Sequence, residues 1–175
     1  YVPGNSDPRF LSLQGNGRID HVDSLDAQLE HRVQMLWFLG GDFNGITNTE
    51  QPVWDPADPL DFLAPRVDLP KRTSDDRWPA NSHGRRLLNT LSNRALIFNG
   101  LQSRGFDPSF TRMPNRRADC PGVIDYLLGP PLALDLTTHG SLEVIEAPAD
   151  FSDHFPLALS LVTYTREQLR QVLEN

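Results

Sequence analysis

The chain has 175 residues, of which 38% are hydrophobic, and a formal net charge of −7 at neutral pH. That length suits one domain with a substantial core and is short for two, and the composition is globular rather than disordered. The acidic balance argues against broad non-specific binding to a polyanion, although 16 Lys and Arg leave room for a local basic groove. No stretch approaches the roughly 20 apolar residues of a membrane-spanning helix. The single cysteine, Cys120, excludes an internal disulfide and a cysteine-rich zinc site, and fits a reducing, intracellular compartment.

In chain order, "YVPGNSD" reads as a strand end stopped by Pro3-Gly4. Lacking Met or a polar lead-in, it looks cut from a longer polypeptide. Between Ser24 and Leu36 the residues Leu25, Leu29, Val33 and Leu36 recur at helical spacing, with Asp23 or Ser24 as N-cap. "WFLGGDF" (37–43) reads as a buried strand. Residues 45–83 hold six prolines and few periodic apolar positions, which predicts a long loop of functional or mobile character. A helix over 84–94 places Leu87, Leu88 and Leu91 on one face, and "ALIFNG" follows as a strand ended by Asn99-Gly100.

"SFTRM" (109–113), "VIDYLLG" (123–129), "SLEVIEA" (141–147) and "FPLALSLVTY" (155–164) are further strand candidates. A closing helix has a capping box, Thr165 with Gln168, and buries Leu169, Val172 and Leu173. The pattern predicts one α/β domain over 1–175, a layered α/β sandwich with mixed sheets, since late strands follow one another without helices.

Three places can carry chemistry. In "GGDFN", Asp42 and Asn44 would share one face at a strand end, with Phe43 turned into the opposite layer and the two glycines allowing close approach. The same residues also fit an Asx-type turn closing the strand. In "VIDYLLG", Val123, Asp125 and Leu127 share one face; an ionised Asp125 inside that apolar run needs a partner, and a histidine would serve, while an edge-strand Asp facing water is the plainer alternative. In "FSDHFPL", Asp153 and His154 sit at the mouth of an apolar strand. Adjacent residues diverge along an extended chain, so Ser152-Asp153-His154 is not a nucleophilic triad. The arrangement predicted instead has Asp153 facing a metal, His154 facing substrate, and Asp125 behind the ring. A polar loop before a strand is the plainer alternative. His21, His31, His83 and His139 have no ligand spacing, with His139 read as a turn residue. No zinc-protease or phosphate-loop motif occurs, and "GNGR" (15–18) lacks the context of a dinucleotide fingerprint.

Taken in order, "YVPG", "GGDFN", "VIDYLLG" and "FSDHFPL" resemble the endonuclease/exonuclease/phosphatase superfamily of metal-dependent phosphoesterases. The middle stretch, "GRRLLNTLSNRALIFNG…SFTRMPNRRADCPGVIDY", is similar to the endonuclease domains of non-LTR retrotransposons. The resemblance implies phosphodiester hydrolysis of DNA with Mg²⁺ or Mn²⁺, and a nuclear location for a retroelement enzyme. By the same resemblance Tyr1 lies against the scissile phosphate, Asp42 orients or deprotonates the attacking water, and Asn44 holds water and a phosphate oxygen. His154 binds a non-bridging phosphate oxygen, Asp125 partners it, and Asp153, with Asp42, lies on the metal side. Arg112, Arg116 and Arg117 would contact a nucleic-acid backbone, or else form a solvated loop.

The family pattern also places an Asn and a metal-binding Glu on strands before "YVP", and neither is in this chain. The chain alone is therefore expected to be inactive or nearly so. Two other readings stand beside the endonuclease: a small-molecule or phosphoinositide phosphatase of the same superfamily, and a catalytically dead fragment kept as a binding or structural module.

Overall fold

Along "ALIF" and "DYLLG" apolar residues occupy consecutive positions, so each strand has to bury both faces. The structure, a computed structural model, describes Leu25, Leu29 and residues 36–53, 71–113, 120–146 and 152–162. In it β1 (Leu39–Asp42), β2 (Leu96–Ile97) and β3 (Asp125–Gly129) form one sheet in the order β1-β3-β2. β4 (Thr137–Val144) pairs with β5 (Leu157–Leu161) in a second. Every strand pairing among the described residues is antiparallel, so the mixed-sheet expectation finds no parallel pair there.

The two faces of the first sheet feed two apolar clusters. Ile97, Tyr126 and Leu128 pack with helical Leu25 and Leu29 and with Leu87, Leu88 and Leu91. Those three leucines line one face of α1 (Ser82–Leu91), whose N-cap Asn81 accepts the Gly84 N–H at 2.7 Å. On the opposite face Leu96, Phe98, Phe106 and Leu142 form the second cluster, with Leu127 and the β5 residues Leu157 and Leu159 against it. A helical layer, a three-stranded sheet and a two-stranded sheet thus stack as an α/β layered domain. Among the described residues no helix is long and apolar enough to cross a membrane.

Several boundaries differ from expectation for local reasons. Leu36 is 39% exposed and is not helical. Residues 109–113 form no strand; Arg112 makes isolated bridges to Gly122 on one side and His154 on the other. His139 lies within β4, not in a turn. Val123 joins the helix-side cluster instead of sharing a face with Leu127, because β3 begins only at Asp125. Before that point the backbone turns to side chains: Asp76 Oδ1 accepts the Val123 N–H at 2.9 Å. Tyr1, the N-cap candidates Asp23 and Ser24, Arg116, Arg117 and the closing helix lie outside the described residues.

The described ends of the 45–83 loop are packed rather than loose. Thr47, Arg72 and Asp76 are buried. The Arg72 guanidinium donates to the Asn99 and Glu50 carbonyls and to Thr47 Oγ1, and lies 5.8 Å from the centre of the Tyr126 ring. Burial pulls its pKa down to about 10, which leaves it charged at neutral pH. Tyr126 Oη accepts the Thr47 N–H at 3.0 Å and sits beside the Gly45 and Val123 carbonyls, and burial pushes its pKa up to about 12. The loop is therefore stitched to β3 from beneath.

Asn99 extends β2 beyond its backbone pairing. It is 1% exposed; its amide donates to the Asp125 carbonyl at 3.2 Å and accepts the Leu127 N–H at 2.9 Å. Asn99→Ala strands both backbone groups in the interior, so it should cost about 2–4 kcal/mol, read from urea unfolding. A loss below about 0.5 kcal/mol would show that water replaces the amide.

Candidate functional site

Register brings the first two carboxylates together. In the β1–β3 pairing Asp42 stands directly opposite Asp125, at the point where both strands meet the end of the sheet. β1 stops there because Asp42 closes an Asx turn: its Oδ1 accepts the Asn44 N–H at 2.8 Å and its Oδ2 the Asn44 amide at 3.1 Å. Asn44 takes the left-handed conformation, φ 51°, that Asn tolerates better than most residues. Turn and site are thus the same structure, and Phe43 does enter the core.

Close approach occurs at other glycines than Gly40 and Gly41. A Cβ on Gly41 would meet nothing within 4 Å, and one on Gly40 would make only ordinary contact. The tight contact lies one turn further on. A Cβ on Gly45 would fall 2.9 Å from the Gly84 N, and one on Gly84 only 1.9 Å from the Ile46 carbonyl oxygen. Gly84, the glycine of "GRRLL", lets the start of α1 lie against the loop that carries Asn44.

His154 is delivered by residues 111–113. The Thr111 carbonyl accepts the Phe155 N–H at 2.7 Å, and the Met113 N–H donates to the Asp153 carbonyl at 2.8 Å, so His154 is held between two backbone bonds. On its other side Thr111 Oγ1 accepts the N–H groups of Ile124 and Asp125 at 3.0 and 2.9 Å. One threonine therefore sets both Asp125 and the backbone around His154. The result is a short contact: His154 Nδ1 lies 3.0 and 3.1 Å from the two Asp125 carboxylate oxygens. Nε2 then faces two carboxylates, at 4.0 Å from Asp42 and 3.9 Å from Asp153.

The electrostatics separate the two outer carboxylates. Burial pushes the Asp42 carboxyl above its ordinary value of 3.8, the charge of Asp125 adds to this, and the Asn44 N–H and His154 offset part of it. For Asp153 burial also pushes upward, but the hydrogen bond and charge of Arg112, with help from His154, outweigh it and hold the carboxyl below 3.8. Arg112 Nε contacts Asp153 Oδ2 at 3.0 Å, so this guanidinium is already engaged at the site's edge.

A raised folded-state pKa means that ionised Asp42 opposes folding above that pKa. The penalty disappears once pH falls below the unfolded value. Asp42→Asn in metal-free buffer should therefore stabilise the protein at neutral pH. The gain should shrink as pH falls toward 3.8. Thermal melts at several pH values check this; a variant less stable at neutral pH would show that Asp42 is held as a needed anion.

Asp42, Asp125 and His154 each offer a ligand atom within 4.8 Å of the others. Since both Asp125 oxygens already face Nδ1, a histidine–carboxylate pair describes this geometry better than a three-ligand metal site. The oxygens left to a cation belong to Asp42 and Asp153, the two metal-side residues expected from the sequence. Carboxylate oxygens suit hard cations such as Mg²⁺ or Mn²⁺ over zinc.

Asp42, Asn44, Asp125, Asp153, His154 and Arg112 thus converge, while Tyr1, Arg116 and Arg117 lie outside the described residues. Sequence reasoning missed the positioning roles of Thr111 and Asn99. Thr111 carried a signal, a threonine inside "SFTRM", but its two acceptor bonds run to residues 13 and 14 positions away. Comparison with protein-family models, curated proteins and solved structures found no match for this chain.

Proposed function

We propose that the protein hydrolyses phosphodiesters with a divalent cation, as a DNA endonuclease of retrotransposon kind. The observation that carries the reading is the clustering of Asp42, Asn44, Asp125 and His154 at one sheet end, with Asp153 beside them.

Phosphodiester hydrolysis needs an oriented water, a counter to the charge that develops on phosphorus-bound oxygens, and a cation. His154 supplies the second. With Nδ1–H donated to Asp125, its protonated form presents Nε2–H toward a non-bridging oxygen, and Asp125 fixes ring direction and supports the positive charge. Asp42 has the raised basicity and the reach to accept a proton from water, held by Asn44 so that its oxygens keep one direction. Mg²⁺ or Mn²⁺ bound through Asp42 and Asp153 would supply Lewis-acid charge stabilisation. Arg112 holds Asp153 in place and keeps it ionised.

Relaxation of supercoiled plasmid by the protein, in the longest form in which it naturally occurs, tests the reading. Nicking in Mg²⁺ or Mn²⁺ that chelation abolishes is expected, and Asp42→Asn should lose it while gaining stability. No nicking with either cation, or activity that survives Asp42→Asn, would overturn it.

A further inference from the structure

A shallow groove runs outward from the site. Its lining includes Asn44, Trp78, Asn81, Arg112 and Cys120, and its volume is about 200 Å³. Two of these residues already belong to the site: Asn44 holds Asp42, and Arg112 holds Asp153. The groove is thus continuous with the place where a phosphate would sit. It is smaller than the roughly 300–1,000 Å³ of pockets that enclose drug-sized ligands, and suits one flat ring system.

Trp78 is the unusual member. It is 57% exposed, although tryptophan is among the side chains most buried on average. Its main chain is nonetheless fixed, because Asn48 donates its amide to the Trp78 carbonyl at 2.7 Å and reaches the Asp76 carbonyl at 3.4 Å. Asp76 is tied in turn to Ser74 and to the Val123 N–H at the entry to β3. The fold therefore anchors the tryptophan and leaves it in water beside the site. An exposed, anchored aromatic next to a phosphate-binding cluster matches the chemistry of base stacking. The net charge of −7 gives this extra weight, since a chain that gains little from bulk electrostatics needs a non-ionic contribution to hold a polyanion.

We infer that this groove is a base subsite: Trp78 stacks against one unpaired nucleobase of the strand whose phosphate lies at Asp42 and His154. The inference rests on the phosphodiester reading above and adds to it the strand form, a base free of its duplex partner, that the site accepts. Stacking is indifferent to base identity, so the subsite fixes where the strand lies without selecting sequence.

The test compares two fluorescein-labelled probes by anisotropy, a short oligothymidylate and the same sugar–phosphate chain with tetrahydrofuran in place of every base. The protein should prefer the base-bearing strand by about tenfold or more. Trp78→Ala should collapse that ratio toward one, and Trp78→Phe should keep most of it. A ratio near one in the unaltered protein, or one that Trp78→Ala leaves intact, overturns the subsite. Hydrolysis of the base-free strand in Mg²⁺ reads the phosphodiester proposal separately. Hydrolysis without base preference overturns the subsite alone, as does failure to bind either strand by a protein that nicks plasmid; failure with both strands and with plasmid overturns both.

Discussion

His154→Ala is expected to lower the rate of plasmid nicking by about 10²–10⁴-fold, with a loss of stability of no more than about 1–3 kcal/mol from leaving the Asp125 carboxylate without its partner. The two halves of this expectation have different origins. The imidazole is part-exposed and its side-chain partners are the carboxylates Asp125, Asp42 and Asp153, so its removal opens no cavity in either apolar cluster. The backbone around it stays in place, since Thr111 and Met113 hold the residues on either side through main-chain bonds. What is lost is the imidazole N–H that lies between Asp42 and Asp153 and can face a phosphate oxygen. Single-turnover nicking rates beside thermal melts would check both halves. A rate within threefold of the unaltered protein, at unchanged stability, would remove His154 from the reaction.

Gly84→Ala should have the largest effect on the fold, about 3 kcal/mol or more of lost stability in urea unfolding. The added methyl would lie 1.9 Å from the Ile46 carbonyl oxygen, which already accepts the Asn81 N–H at 3.0 Å. Either the start of α1 or the 44–47 loop has to retreat. Both are tied down, the helix start by the Asn81 cap and the loop by Thr47 on Tyr126. Because Asn44 lies two residues from Ile46, nicking should fall along with stability. Gly41→Ala is the matched control. A methyl there meets nothing within 4 Å, so its stability should stay within about 0.5 kcal/mol of the unaltered protein. Equal losses at the two glycines would show that the Gly84–Ile46 contact does not set the cost.

The pair of glycines also shows how far the sequence was legible. Strong periodicity was readable: Leu87, Leu88 and Leu91 on one helical face, and "VIDYLLG" as a strand, of which β3 keeps Asp125–Gly129. So was the pairing of His154 in "SDHF" with Asp125 in "VIDY", because a carboxylate inside an apolar run needs a partner. The close approach was assigned to Gly40 and Gly41, whereas the packing requires it at Gly45 and Gly84. Nothing local separates a glycine that faces open space from one that faces a carbonyl across the fold. The "SFTRM" strand failed for a related reason. Arg112 bridges two different segments rather than running along one, and such pairing has no two-residue period to read.

By itself the sequence determined which residue types were available for chemistry, and that three short motifs would lie at the ends of buried segments. Tertiary structure alone decided their relation. Antiparallel register put Asp42 opposite Asp125, two acceptor bonds from Thr111 fixed Asp125 beside His154, and the Gly45–Gly84 contact set the loop that holds Asn44. Each of these is a contact between residues at least 13 positions apart, where side-chain period and local propensity carry no information. Distance and direction there come from how whole elements pack.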